Sequence, residues 1–279
     1  MKNIIIIPLF LLSTIVFAGG GWVPNKGEGF FMLSQRSISG NYYFSEKGTA
    51  VNSPNFSILT TNVFAEYGLG KKWAALLYSP FITIAQQGSG IDQLGNNFTA
   101  DKALGLGDID LGLKYNFYNK TFVASASLYI GIPSGNYNAG NTKNLHLGDG
   151  DLSQLFRLDA SQSFGKNYAN IYAGFNNRNA YFSDDVQFGA EAGRRFPSLY
   201  LILKIDARLP LYNGSRNETE SFGIYSNNLS YLGITPQILY EFKNNFGLSL
   251  EAGFAAFGKN IIAAPSITAG LFYKLKKKN

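Results

Sequence analysis

The sequence has no cysteine, so no disulfide framework holds this chain, and it has one histidine among 279 residues. Beyond residue 18 it also lacks any apolar run approaching the ~20 residues of a membrane-crossing helix. No helical period of useful length follows that point. Charge of one sign is not in strong excess: 24 Lys and Arg against 18 Asp and Glu leave +6, part of it gathered at Lys274, Lys276, Lys277 and Lys278. We read those lysines as a solvated tail, and expect no nucleic-acid surface.

What is present begins with "MKNIIIIPLFLLSTIVFAGGGW". Lys2 is a positive n-region, Ile4 to Phe17 an apolar h-region, and Val16-Phe17-Ala18 a small-residue cleavage site. This is the pattern of a secretory signal peptide cut after Ala18. No cysteine follows the cut, which disfavours a lipid anchor. The expected organisation is a signal peptide at 1–18, an N-terminal periplasmic segment at 19–28 and one domain from 29 to 279.

That domain alternates. In "GLGDIDLGLKYNFY" (105–118), Ile109, Leu111, Leu113, Tyr115 and Phe117 share one parity, and Asp108, Asp110, Lys114 and Asn116 share the other. Period two belongs to strands, whose successive side chains point to opposite faces. Similar segments recur about twelve times, among them 59–69, 121–132, 153–164, 169–178, 199–209 and 266–275. Alternation averages each segment to neutrality, which fits a mean hydropathy of −0.04. Aromatics make up 15% of residues, as many as all charged residues, and abundant glycine adds to the β signal.

The connections decide which face is inside. Short links near 70–72, 119–120, 165–167, 197–198 and 243–245 alternate with longer polar ones near 40–56, 86–103, 133–151, 178–184, 212–228 and 258–264. Short turns at one end and long loops at the other mark a bacterial outer-membrane barrel with its short end in the periplasm. Aromatics flank the short links (Tyr67 and Trp73, Phe117 and Phe122, Phe164 and Tyr168, Phe242 and Phe246), as an aromatic girdle would. Strands of about 10–13 residues, tilted by ~40°, span roughly 25–30 Å. The predicted fold is therefore all-β: a transmembrane, antiparallel, up-and-down β-barrel of about 12 strands. Its place is the outer membrane of a Gram-negative bacterium. Its partners are outer-membrane lipid, the barrel-assembly machinery during biogenesis, and a small-molecule solute. No cofactor or metal is expected.

On this reading the leucines face lipid and the charges face the lumen. Glu66, Asp108, Asp110, Lys114, Arg157, Asp159, Arg178, Glu191, Lys204, Asp206 and Arg208 become candidate solute-binding residues, with Glu241 and Glu251 beside them. Cross-strand ion pairs that merely fill the barrel remain open as a reading of the same list. About eight strands leave an interior filled by side chains and sixteen leave a water channel, so twelve imply a narrow pore.

Gly105-Leu106-Gly107-Asp108-Ile109-Asp110-Leu111-Gly112-Leu113-Lys114-Tyr115, then Gly131-Ile132-Pro133-Ser134-Gly135, then Gly148-Asp149-Gly150-Asp151 form a progression. It resembles the outer-membrane proteins grouped as the MetA-pathway of phenol degradation family, over about residues 57–195. The resemblance implies a transporter-like barrel of unspecified substrate and brings no catalytic residues. Thr268-Ala269-Gly270-Leu271-Phe272-Tyr273-Lys274-Leu275 is similar to the last-strand signal read by barrel-assembly machinery, though a short tail follows it.

The function expected is a narrow channel or transporter for small solutes, not an enzyme. Two alternatives stay open: a structural or adhesive surface barrel acting through its loops, and an outer-membrane hydrolase. The hydrolase would need His146 to activate a serine such as Ser153. "GDGD" (148–151) carries oxygens that could meet Ca²⁺ but lacks the ligand spacing of a calcium loop, and reads better as a turn.

Overall fold

The computed structural model describes residues 20–179, 182–215 and 224–277; the signal-peptide run and its Ala18 cut lie outside them. Period-two segments become strands: β1 (Gly29–Phe44), β2 (Ala50–Gly68) and β3 (Trp73–Gln87). A small hairpin, β4 (Gly90–Ile91) with β5 (Asn97–Phe98), interrupts the next link. One broken strand follows, β6 (Asp101–Gly105) continued by β7 (Ile109–Asn119). Then come β8 (Val123–Ile132), β9 (Ser153–Phe164), β10 (Asn167–Arg178), β11 (Asp185–Arg195) and β12 (Leu199–Pro210). The last are β13 (Ser230–Glu241), β14 (Phe246–Lys259), the short β15 (Ile261–Ile262) and β16 (Ser266–Leu275).

Leaving aside the short β4, β5 and β15, each strand pairs antiparallel with the next along the chain, and β16 pairs with β1 from Gly29↔Leu275 to Ile38↔Ser266. With β6 and β7 taken as one, this is a closed barrel of twelve strands. Closure matters because lipid offers no partner to a free backbone edge. The faces sort as the alternation demands: Leu111 and Leu113 are 47% and 44% exposed on the outside, while Lys114 and Asn116 are 4% and 5% exposed within.

Several details differ from the sequence expectation. The link expected at 40–56 is mostly strand: β1 and β2 stay paired up to Phe44↔Ala50, so their hairpin rises well beyond the other strands. β15 pairs with the tip of β1 and shortens the link expected at 258–264. The alternation of 105–118 is broken at residues 106–108, opposite Pro80. Pro80 has no N–H for the ladder, and the chain arches so that the Gly107 N–H donates to its carbonyl at 2.7 Å. A Cβ on Gly107 would stand 2.4 Å from the Pro80 ring, which explains a glycine there. Tyr168, expected in the girdle, points inward and is 4% exposed, consistent with its sharing parity with Asn170 and Tyr172.

Residues 20–28 are not a free periplasmic lead-in. They enter the bore. Gly27 N–H donates to the Gly68 carbonyl and Gly68 N–H to the Glu28 carbonyl, continuing the β1–β2 pairing below the barrel. The preceding residues then run over the mouth to β7, β8 and β9. Gly68 must be glycine here, because a Cβ would lie 2.1 Å from the Asn25 carbonyl oxygen and 2.5 Å from that of Pro24.

Candidate functional site

The lumen is layered from the periplasmic end upward. At the bottom, Lys274 on β16 meets Glu241 on β13 at 2.6 Å and lies over the Tyr200 ring, 4.5 Å from its centroid. Lys274 is thus a buried lumenal cation rather than part of a solvated tail. Above and beside it Phe30, Tyr168, Tyr200, Ile202, Leu239 and Phe272 form an apolar cluster inside the barrel, with Trp22, Met32 and Phe64 packed against it.

The N-terminal segment seats on β7, β8 and β9 through its backbone. The Lys114 ammonium donates to the Gly20 carbonyl at 3.0 Å and to that of Trp22 at 3.5 Å. Asn116 Nδ2 and Ser125 Oγ donate to the Gly21 carbonyl, and Gly21 N–H donates to Ser161 Oγ at 2.8 Å. Ser161 in turn donates to Asn170 at 2.6 Å, and Trp22 stands edge-on to Tyr168 with centroids 5.7 Å apart. Buried backbone groups need partners, and these four polar side chains from β7, β8 and β9 supply them. Lys114 also pairs with Glu66 at 2.8 Å, both side chains being nearly sealed from solvent. Of the candidate residues, Lys114 and Glu66 therefore belong to the plug's seat.

Above this floor lies a cavity of about 720 Å³. Asp108, Asp110, Arg157, Arg178, Lys204, Asp206 and Arg208 line it, joined by Asp149 of "GDGD" and by residues the sequence reading did not single out: Arg36, Tyr78, Tyr129 and Tyr231. Arg157 pairs with Asp159 at 2.7 Å and stacks 3.6 Å over the Tyr172 ring. Lys204 reaches Glu251 at 3.4 Å, Arg208 reaches Asp185 at 2.5 Å, and Arg178 pairs with Asp149. Asp206 accepts from the Tyr172 hydroxyl at 2.5 Å. Glu191 sits lower, accepting from the Tyr168 hydroxyl at 2.6 Å. So the cavity brings together seven of the eleven candidates; Glu66, Lys114, Asp159 and Glu191 serve its floor and walls.

The roof is made of loops folded inward. Asp108 accepts from the Gly135 and Asp149 amides at 2.9 and 2.7 Å, and so pins both ends of the 133–152 loop. Within that loop, Asp149 accepts from the Asp151 amide at 2.9 Å and holds Arg178, so "GDGD" is a turn. Leu145 and Leu147 pack on Ala85 and Ala103. Ile224 and Tyr225 reach in from the β12–β13 link. His146 stacks on Tyr137 with centroids 4.2 Å apart and lines a separate small pocket, whereas Ser153 lines the main cavity. Among the described residues no group of three or more His, Asp or Glu could hold a metal ion.

Asp101, at the top of β6, clasps the same loop. It accepts from the Thr142 hydroxyl and from the Thr142 and Asn141 amides at 2.5, 2.8 and 3.0 Å. Led by the Thr142 hydroxyl, these bonds hold its carboxyl down to about 2. A depressed carboxylate contributes its full stabilisation above the ordinary value of ~3.9 and loses it as pH falls through the folded value. The clasp should hold at pH 4. Pepsin at pH 4 is therefore expected to spare the 136–146 loop in the wild type and to cut it in Asp101→Ala; equal cutting in both would refute this.

No family model and no curated protein sequence matches the chain, so the family name suggested by the sequence finds no counterpart. Solved structures do match. An outer membrane channel from Pseudomonas putida F1 superposes with a TM-score of 0.62 at 14% identity, covering 93% of this chain and 100% of that one. The NanC porin superposes with a TM-score of 0.55 at 8% identity, covering 87% and 100%. The fold is that of an outer-membrane barrel. At such low identities the likeness speaks to fold alone.

In this outer-membrane barrel the missed residues had weak signals. Arg36 follows Phe30, Met32 and Ser34 on the inward parity of β1, but Phe31 and Leu33 make the other parity equally apolar, so that strand gives no clear inside. Tyr225 comes from a loop, where no period applies. Tyr78, Tyr129 and Tyr231 are inward aromatics, which the pattern cannot tell from girdle residues.

Proposed function

We propose that the protein is an outer-membrane channel for small solutes, exported behind the signal peptide of residues 1–18 and inserted by the barrel-assembly machinery of a Gram-negative bacterium. The observation that carries this reading is a charge-lined cavity of about 720 Å³ inside a barrel whose outer face is apolar. That volume falls in the ~300–1,000 Å³ range of small-molecule sites. The two similar barrels are a channel and a porin, and that role is carried to this chain as part of the proposal. In the described residues the segment 20–28 lies across the periplasmic mouth and loops fold inward over the cavity, which narrows the path at both ends. Transport then requires the floor to move. Loops folded into the bore, with Phe182 and Leu147 2% exposed, weigh against the adhesive alternative. His146, stacked on Tyr137 and lining another pocket, gives the hydrolase alternative no geometry.

The test is single-channel recording of the purified protein in a planar bilayer. Discrete current steps, changed in size or ion preference by Lys204→Ala, are the expected result. No current from a folded, heat-modifiable barrel, with its floor intact or removed, would end the channel reading.

A further inference from the structure

The protein gives almost every charged side chain of its lumen an ionic or hydrogen-bonding partner of its own. In the cavity wall Arg157 has Asp159, Arg178 has Asp149, Lys204 has Glu251 and Arg208 has Asp185. Asp206 has the Tyr172 hydroxyl, and Asp108 has two loop amides. The habit extends below the cavity to Lys114 with Glu66 and Lys274 with Glu241. It has a physical reason, since an ion withdrawn from bulk water and left with neither a counter-charge nor hydrogen-bond partners is costly.

Two cavity residues break the habit, and they have opposite sign. Arg36 on β1 and Asp110 on β7 both line the cavity, and among the described residues neither makes an ion pair or a side-chain hydrogen bond. They do not meet each other. Between them stands Tyr78, which faces Asp110 directly across the β3–β7 pairing and donates at 3.0 Å to Asn62, one inward position along β2 from Thr60, the residue paired with Arg36. One void therefore carries a free guanidinium and a free carboxylate around a common tyrosine.

A solute with one charge could satisfy only half of this arrangement. An anion on Arg36 would leave Asp110 unmatched and would be repelled by it; a cation on Asp110 faces the converse. A molecule bearing both charges satisfies both walls. Its carboxylate would take the guanidinium fork of Arg36, a geometry suited to two parallel hydrogen bonds, and its ammonium would take Asp110. The Tyr78, Tyr129 and Tyr231 rings leave room for an uncharged remainder. We infer that the cavity is a binding site for a small zwitterion, an amino acid or short peptide, held between Arg36 and Asp110. This rests on reading the cavity as the solute site and names the class of solute.

The test is titration calorimetry on the full-length barrel in detergent. The zwitterionic probes are glycine, γ-aminobutyrate and glycylglycine, whose charges are set progressively farther apart; glycolate and ethanolamine carry one charge each. At least one zwitterion should bind, about tenfold or more tighter than either single-charge control. Arg36→Gln and Asp110→Asn should each weaken that binding about tenfold or more. The best probe among the three separates amino acid from peptide. Absence of zwitterion binding, equal binding of the controls, or unchanged binding in both variants would overturn the inference. Should a variant fail to fold, the comparison of probes on the wild type decides alone. Binding without conductance removes the channel reading and keeps the site; conductance without zwitterion binding does the reverse.

Discussion

Deleting residues 20–27, with 1–19 retained for export, should raise single-channel conductance several-fold while leaving a folded, heat-modifiable barrel. The segment crosses the periplasmic mouth and is held there by Lys114, Asn116, Ser125 and Ser161. The receptors of its backbone are polar, and Lys114 keeps Glu66 after the deletion, so water can replace the lost backbone, while the loss of Trp22 uncovers only one side of the apolar cluster. Gly68→Ala should give a milder form of the same phenotype. Its Cβ would press on the carbonyl oxygens of Pro24 and Asn25, which are backbone atoms and cannot swing aside. The variant should flicker between closed and open levels. An unchanged conductance in both variants would mean that ions do not leave through this mouth, or that the cluster of Phe30, Tyr200 and Phe272 seals it unaided.

The second large effect is on stability. Lys114→Met removes an ammonium that is 4% exposed and leaves the Glu66 carboxylate, 5% exposed, without its partner. Breaking one side of such a buried pair costs about 3–5 kcal/mol. The variant should unfold at clearly lower temperature in a heat-modifiability series, and its N-terminal segment should become accessible to protease. Adding Glu66→Gln should recover much of the loss by removing the stranded charge. Lys204→Met is the control. Its 3.4 Å contact with Glu251 joins two partly solvated groups, for which about 1 kcal/mol or less is expected. Equal effects of the two lysine replacements would refute the distinction between the sealed floor and the wet cavity.

The barrel itself was legible because lipid enforces the pattern. Every strand must put apolar groups out, so Leu201, Leu203 and Ile205 on β12 or Leu111 and Leu113 on β7 announce their face. The interior is under no such rule, and there the sequence was less informative. Phe30, Ile202, Leu239 and Phe272 occupy inward positions, yet nothing in the alternation says that they meet in one cluster across the bore. The candidate charges were readable as inward, but their sorting into floor, wall and free pair depends on contacts between strands far apart in the chain. The floor was the least visible part. Gly20-Gly21-Trp22-Val23-Pro24 has no period, and it is recognised through backbone carbonyls and an amide, which every residue possesses. Asp108 shows a further limit: it alternates like a strand residue but lies where Pro80 interrupts pairing, and it holds a loop.

The N-terminal segment also has a mechanical consequence. It leaves the wall beside β1 and β2 and is fastened to β7, β8 and β9, two to five strands farther round the ring of twelve. A hollow cylinder under the uneven lateral pressure of a bilayer deforms most easily by flattening into an ellipse, and a tie strung as a chord between separated parts of its wall resists that mode. The segment is such a tie. Whatever releases it would also loosen the roundness of the cylinder, so that opening the mouth and softening the wall become one event.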